Sequence, residues 1–148
     1  MVLSTYFEDL NTDYIKNVHK EICKGQNIHP LGEYRDTGVG ITGTNWRPKL
    51  PSECDYDKEL EEIMKNDSPL DRVLELFCFI QRSQMFKDGN KRVASLVANK
   101  EMIKNGLGII SVPVELKGAF LIKLIDYYET NNRNELKQFL YDNCLDGI

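Results

Sequence analysis

The sequence predicts an all-α domain that carries one short β-hairpin flap. Three observations lead there. Apolar residues recur at helical spacing through most of the chain, with recognisable start and stop signals. One stretch, residues 32–51, breaks that pattern with Gly32, Gly38, Gly40 and Gly43 among β-prone residues. At 148 residues, 41% hydrophobic and 28% charged, the chain suits a single domain (1–148) with one genuine core.

The elements follow in order. Asn11 or Thr12 can cap a first helix with apolar Tyr14, Ile15, Val18 and Ile22, and Gly25 is a reasonable stop. His19 lies beside that stripe, where a packed or hydrogen-bonded histidine is expected, and His29 before Pro30 reads as loop. In the flap, Tyr34, Val39, Ile41, Thr42, Thr44 and Trp46 are closed by Pro48 and Pro51, which reads as a short hairpin or an extended flap. Its edge either packs on the domain or accepts a strand from another polypeptide. A second helix is predicted over Tyr56 to Lys65. Ser68, Pro69 and Asp71 start a third, whose body from Leu70 to Ile80 is apolar almost all round and so buried. A helix from about Asn90 carries Val93, Ala94, Leu96, Val97, Ala98, Met102 and Ile103, and Asn105-Gly106 ends it. Ile109 to Pro113 reads as extended. Two amphipathic helices follow, one with Phe120, Leu121, Leu124, Ile125 and Tyr128, the other with Leu136, Phe139 and Leu140.

A formal net charge of −4 argues against nucleic-acid binding, which needs concentrated basic surface. No apolar run approaches the roughly eighteen residues of a membrane span. Met1-Val2-Leu3-Ser4-Thr5 has no basic region followed by an apolar core, which predicts no secretory signal. Cys23, Cys54, Cys78 and Cys144 are widely spaced and read as reduced thiols, hence a cytoplasmic location. Two histidines argue against a multi-histidine metal site.

The chemistry concentrates in the loop 84–92, Gln84-Met85-Phe86-Lys87-Asp88-Gly89-Asn90-Lys91-Arg92, which feeds the start of a buried helix. Such a terminus offers unpaired N–H groups and the positive end of the helix dipole to a phosphate. Asp88 suits a divalent cation, Gly89 lets the backbone approach a ligand, and Asn90, Lys91 and Arg92 supply donors. An ordinary helix–helix connection is the competing reading. The spacing is not that of a P-loop.

The loop resembles the signature of the Fic (Fic/Doc) family, His-x-Phe-x-(Asp/Glu)-Gly-Asn-x-Arg, at Phe86, Asp88, Gly89, Asn90 and Arg92. Glu33 to Pro48 resembles the family's target-docking flap, preceded by the Gly-Glu-x-Arg-like stretch Gly32-Glu33-Tyr34-Arg35. The closing Leu140-Tyr141-Asp142-Asn143-Cys144 is similar to small bacterial members. The resemblance implies a Fic-fold helical domain that binds ATP and transfers AMP to a target hydroxyl. It implies that Asp88 holds Mg²⁺ and that Phe86 anchors the loop. Gly89, Asn90 and Lys91 would form the anion hole, with Arg92 steadying the phosphates. The target would dock at Val39, Ile41, Thr42, Gly43, Thr44 and Trp46. It also suggests self-association.

Three residues depart from the family pattern. Gln84 stands where the family has its catalytic histidine, and an amide is no general base. Ser95 stands where many AMP-transferring relatives have a second arginine. Lys91 replaces a frequent glycine, as in the Doc-type branch that transfers phosphate. The family's inhibitory motif has only the imperfect match Ser4-x-x-x-Glu8-Asp9, which predicts no self-inhibition. The expectation is a nucleotide-binding Fic domain, nominally an AMP-transferase, with absent, weak or unconventional activity. The alternatives are a Doc-like phosphotransferase and a non-catalytic protein-interaction module.

Overall fold

The computed structural model describes residues 9–147. The Ser4–Glu8 stretch lies outside the described residues. Among them are six α-helices: α1 (Thr12–Cys23), α2 (Tyr56–Met64), α3 (Pro69–Ser83), α4 (Asn90–Lys104), α5 (Lys117–Thr130) and α6 (Asn134–Asn143). The start signals act as read. The Asn11 side chain accepts from Tyr14 N at 2.8 Å, and Ser68 caps α3 by accepting from Asp71 N at 3.4 Å, with Pro69 in the first turn. No described helix is long and apolar enough to cross a membrane.

α3 and α4 form the most extensively packed helix pair, with α1, α5 and α6 around them. Leu76, Phe77, Cys78, Phe79 and Ile80 of α3 are buried, as are Val93, Ala94, Val97 and Ala98 of α4. Removing this much apolar surface from water supplies the main drive for folding. α4 also buries a pair that its apolar pattern does not announce: Lys100 Nζ and Glu101 Oε2 lie 2.7 Å apart, with the ammonium 4.9 Å from the Tyr14 ring centre. Paired in this way, both charges stay inside the domain.

Residues 33–48 take the extended form of the flap and not the paired hairpin. The one ladder among the described residues is elsewhere: β1 (Ile109–Ile110) runs antiparallel to β2 (Leu145–Asp146). The reason lies in the partners the flap finds. Trp46 stacks on Tyr128 of α5 at 5.3 Å, Trp46 N donates to Thr44 Oγ1 at 3.1 Å, and Thr44 Oγ1 donates to Glu129. Gly43, at φ +95, passes so close to Ile125 that a Cβ there would lie 3.0 Å from its Cδ1. The flap is fastened to α5 by side chains and needs no strand ladder.

Candidate active site around the 84–92 loop

Gln84 ends α3 in the left-handed conformation, φ 47 and ψ 53, and turns the chain into the loop. Met85 and Phe86 then insert into the core with no exposed surface. The loop is shaped by Asn90, whose Oδ1 accepts from Phe86 N at 3.0 Å while its Nδ2 donates to Phe86 O at 2.8 Å. The same Nδ2 donates to Gln84 Oε1 at 3.2 Å, and Gln84 Nε2 donates to Gln81 O at 2.7 Å. Both ends of the Gln84 amide are therefore engaged within the fold. The buried Tyr128 ring lies beside it, its hydroxyl pushed up from the usual tyrosine range by burial.

Gly89, at φ +85, is the N-cap of α4 and no side chain caps the helix. The first amides of α4 thus have no intrahelical acceptor, and the positive end of the helix opens onto the loop. Asp88 is exposed at this mouth, with Oδ1 accepting from Gly89 N at 2.7 Å. Lys91 is exposed too. A Cβ at Gly89 would lie 2.7 Å from Cys23 Sγ, so glycine is needed for space as well as for backbone conformation.

Two neighbouring elements hold the loop in place. From α1, buried His19 stacks on Phe86 at 4.0 Å and 10°, and its Nε2 reaches Asp88 O at 3.0 Å. Its Nδ1 accepts from Gly32 N at 3.0 Å, which puts the proton of the neutral ring on Nε2 as donor to Asp88 O. The packed, hydrogen-bonded histidine expected from the α1 pattern is found, and its partner is the loop. Burial chiefly lowers its proton affinity, and the charge of Arg92 adds to this. The end of α1 and the turn after it also hold Arg92, which donates to Gln26 Oε1 at 3.0 Å and lies 3.8 Å from Cys23 Sγ.

From the base of the flap, buried Arg35 donates through Nε to Gln84 O, through Nη1 to Thr37 O at 2.9 Å and through Nη2 to Lys49 O at 2.7 Å. Its own N–H donates to Met85 O at 3.0 Å. Lys87 adds a bond to Thr37 Oγ1 at 2.8 Å. The sequence stretch Gly32-Glu33-Tyr34-Arg35 was legible as the lead into a flap. That its arginine ties both flap ends to the loop was not.

The sequence-predicted residues thus fall in two sets. Phe86, Asp88, Gly89, Asn90, Lys91 and Arg92 gather at the start of α4, with Gln84 joined to them through Asn90. Among the flap residues, Val39, Ile41, Thr44 and Trp46 are half-buried, while Thr42 and Gly43 are exposed. No group of three or more His, Cys, Asp and Glu among the described residues is arranged to hold a metal.

Comparison with known proteins gives a family and a fold. The chain matches the Fic/DOC family over residues 9–102. No curated protein sequence gives a significant match. Among solved structures, Fic-1 (aa 134–508) from C. elegans superposes with a TM-score of 0.71 at 21% identity, over 95% of this chain and 41% of that one. A Fic domain containing signaling protein from Bacteroides thetaiotaomicron gives 0.67 at 21% identity, over 95% and 60%. The BepC protein of Bartonella tribocorum, a VirB-translocated effector solved with bound AMPPNP, gives 0.66 at 14% identity, over 96% and 80%. The chain thus spans about two fifths of the C. elegans chain, and at these identities the likeness is one of fold. With the flap and the whole 84–92 loop inside the matched segment, this chain belongs to the Fic/DOC family.

Proposed function

We propose that this domain binds ATP with Mg²⁺ at the start of α4 and docks a protein on the 33–48 flap, with AMP transfer to that protein slow or absent. The observation that carries the reading is the uncapped N-terminus of α4 beneath a loop that Asn90 already holds in shape. A site built before its ligand arrives loses little affinity to ordering. The AMPPNP bound to the Bartonella neighbour supports nucleotide as the ligand class.

The donor set suits a metal that arrives with the nucleotide. Asp88 spends one oxygen on Gly89 N, and its carboxylate faces solvent at the mouth, where it would hold Mg²⁺. One carboxylate plus substrate phosphates is a usual Mg²⁺ arrangement. The ion would neutralise phosphate charge during transfer.

Gln84 stands in the position of the family's histidine. In the transfer, a target hydroxyl oxygen would bond to the α-phosphorus as the bond to pyrophosphate breaks. With no base at 84, the hydroxyl proton must leave through solvent. Losing general-base assistance costs about 10²–10⁴ in rate. Ser95, in place of a guanidinium, leaves the terminal phosphate less firmly held.

ATP labelled separately at the α- and γ-phosphates, incubated with lysate of the source organism, tests this. The expected result is faint or no α-label transfer by the wild type and roughly 10²-fold or greater gain in Gln84→His. Transfer of γ-label alone would establish the Doc-like reaction. No label from either protein would contradict a latent transferase and favour an interaction module.

A further inference from the structure

A cleft of about 460 Å³ lies away from the start of α4, between the end of the flap, the start of α2, and the C-terminal ends of α3 and α5. Its size is that of a ligand site and not of a packing defect. Arg82, Arg133, Trp46 and Tyr127 are among its walls. The Arg82 guanidinium lies 4.7 Å from the Trp46 ring centre and 5.9 Å from that of Tyr127. The Arg133 guanidinium lies 5.8 Å from the same Tyr127 ring. Two cations therefore share one aromatic side chain at the edge of one cleft.

Arg133 has donors to spare, and Arg82 has no carboxylate partner among the described residues. Arg133 Nη1 pairs with Glu75 Oε2 at 2.6 Å, which leaves its other nitrogens over. Arg82 donates from Nε and Nη2 to Tyr128 O at 3.2 and 3.0 Å, a neutral acceptor. No described carboxylate stands at ion-pair distance from Arg82. Burial and the Arg133 charge both disfavour its protonated form, while Tyr127 and Glu59 act the other way. Three acidic residues also line the cleft: Glu53 Oε1 accepts from Leu50 N and Asp55 Oδ1 from Lys58 N, each at 3.1 Å, while exposed Glu59 acts on Arg82 from beyond ion-pair distance. Arg47 and Lys49, on the flap wall, add positive charge and are in no ion pair among the described residues.

The position of the cleft indicates what kind of molecule would fill it. One wall is Trp46 to Lys49, the end of an extended flap without a strand partner. Another is Arg82 and Ser83, the two residues before Gln84. A polypeptide lying along the flap, with an acceptor hydroxyl near Gln84, would present neighbouring side chains to this cleft.

We propose that the cleft is a specificity pocket for a carboxylate side chain, Asp or Glu, of the polypeptide docked on the flap, held by Arg82 and Arg133 between the Trp46 and Tyr127 rings. It rests on reading the flap as a docking element. Charge-assisted bonds to arginine are about twice as strong as neutral ones, and cation–π contacts with Trp46 and Tyr127 hold Arg82 in place before the ligand arrives.

The test is an NMR titration of ¹⁵N-labelled protein with the acetylated, amidated peptide Val-Thr-Glu-Val-Ser-Val and its glutamine counterpart. The readouts are the Arg82 and Arg133 Nε–H signals and the Trp46 indole N–H. The glutamate peptide is expected to shift all three, and to bind about tenfold more tightly than the glutamine peptide. Arg82→Gln should erase that difference, and so should Arg133→Gln, a second variant in case the first fails to fold. Equal binding of the two peptides would overturn the pocket. So would shifts produced by inorganic phosphate but not by the peptide, which would mark a free-anion site. The outcomes separate the readings: equal binding of both peptides sinks the pocket alone, binding of neither sinks the flap reading on which it rests, and an ATP titration of the same sample tests the nucleotide site independently.

Discussion

His19 and Gly89 show how single residues of α1 and the loop set the shape of the site. His19 is held neutral between Gly32 N and Asp88 O, and burial keeps its proton affinity below the ordinary histidine value of 6.5. The unfolded chain takes up this proton as pH falls through about 6.5, while the folded ring still refuses it. Stability that is full above that pH is therefore lost below it. The urea midpoint of the wild type should fall on acidification more steeply than that of His19→Gln; parallel curves would contradict the assignment. At pH 7.5 the same substitution should cost about 1–3 kcal/mol through the two lost bonds and the lost stacking. Gly89→Ala meets both a left-handed backbone and the Cys23 sulfur. A loss of about 1 kcal/mol or more is expected, part of it recovered in the double variant with Cys23→Ala, because that partner removes the clash. Strict additivity in denaturant unfolding would show that the sulfur contact is unimportant.

Among the elements, the flap and the loop behave as one unit because Arg35 serves both. Arg35 is 2% exposed and its guanidinium is satisfied by three carbonyls, those of Thr37 in the flap, Lys49 just past its end, and Gln84. Arg35→Met should lower stability by about 2–4 kcal/mol and speed amide exchange throughout residues 37–49. Exchange unchanged in the flap would mean that its fastening to α5 is sufficient. The helices were legible in the sequence because their periodicity and caps are local properties. β2 was not: two residues, Leu145 and Asp146, are too short to carry a period. The hairpin form of the flap failed for a related reason. Glycines and β-prone residues announce extended backbone, whereas pairing depends on what lies alongside, and here Tyr128, Glu129 and Arg35 do. The 84–92 loop was readable because its ligand groups are contiguous. The Arg82–Arg133 cleft was not, since its walls come from the flap, the approach to α2, and the ends of α3 and α5.

For the whole molecule, one core built on α3 and α4 positions an open helix start beside a flap with an adjacent cleft. If that helix start is a nucleotide site, ligand and fold are thermodynamically linked. ATP with Mg²⁺ at a hundredfold its dissociation constant should raise stability by about 2.7 kcal/mol, seen as a higher thermal midpoint. The most direct measurement is a calorimetric titration of the domain with ATP, with and without Mg²⁺, beside a variant combining Asp88→Ala with Gly89→Glu. The account predicts magnesium-dependent binding by the wild type and its loss in a variant that remains folded by circular dichroism. Absence of wild-type binding at about millimolar nucleotide, where even a weak site is occupied, or equal binding by the variant, would contradict it.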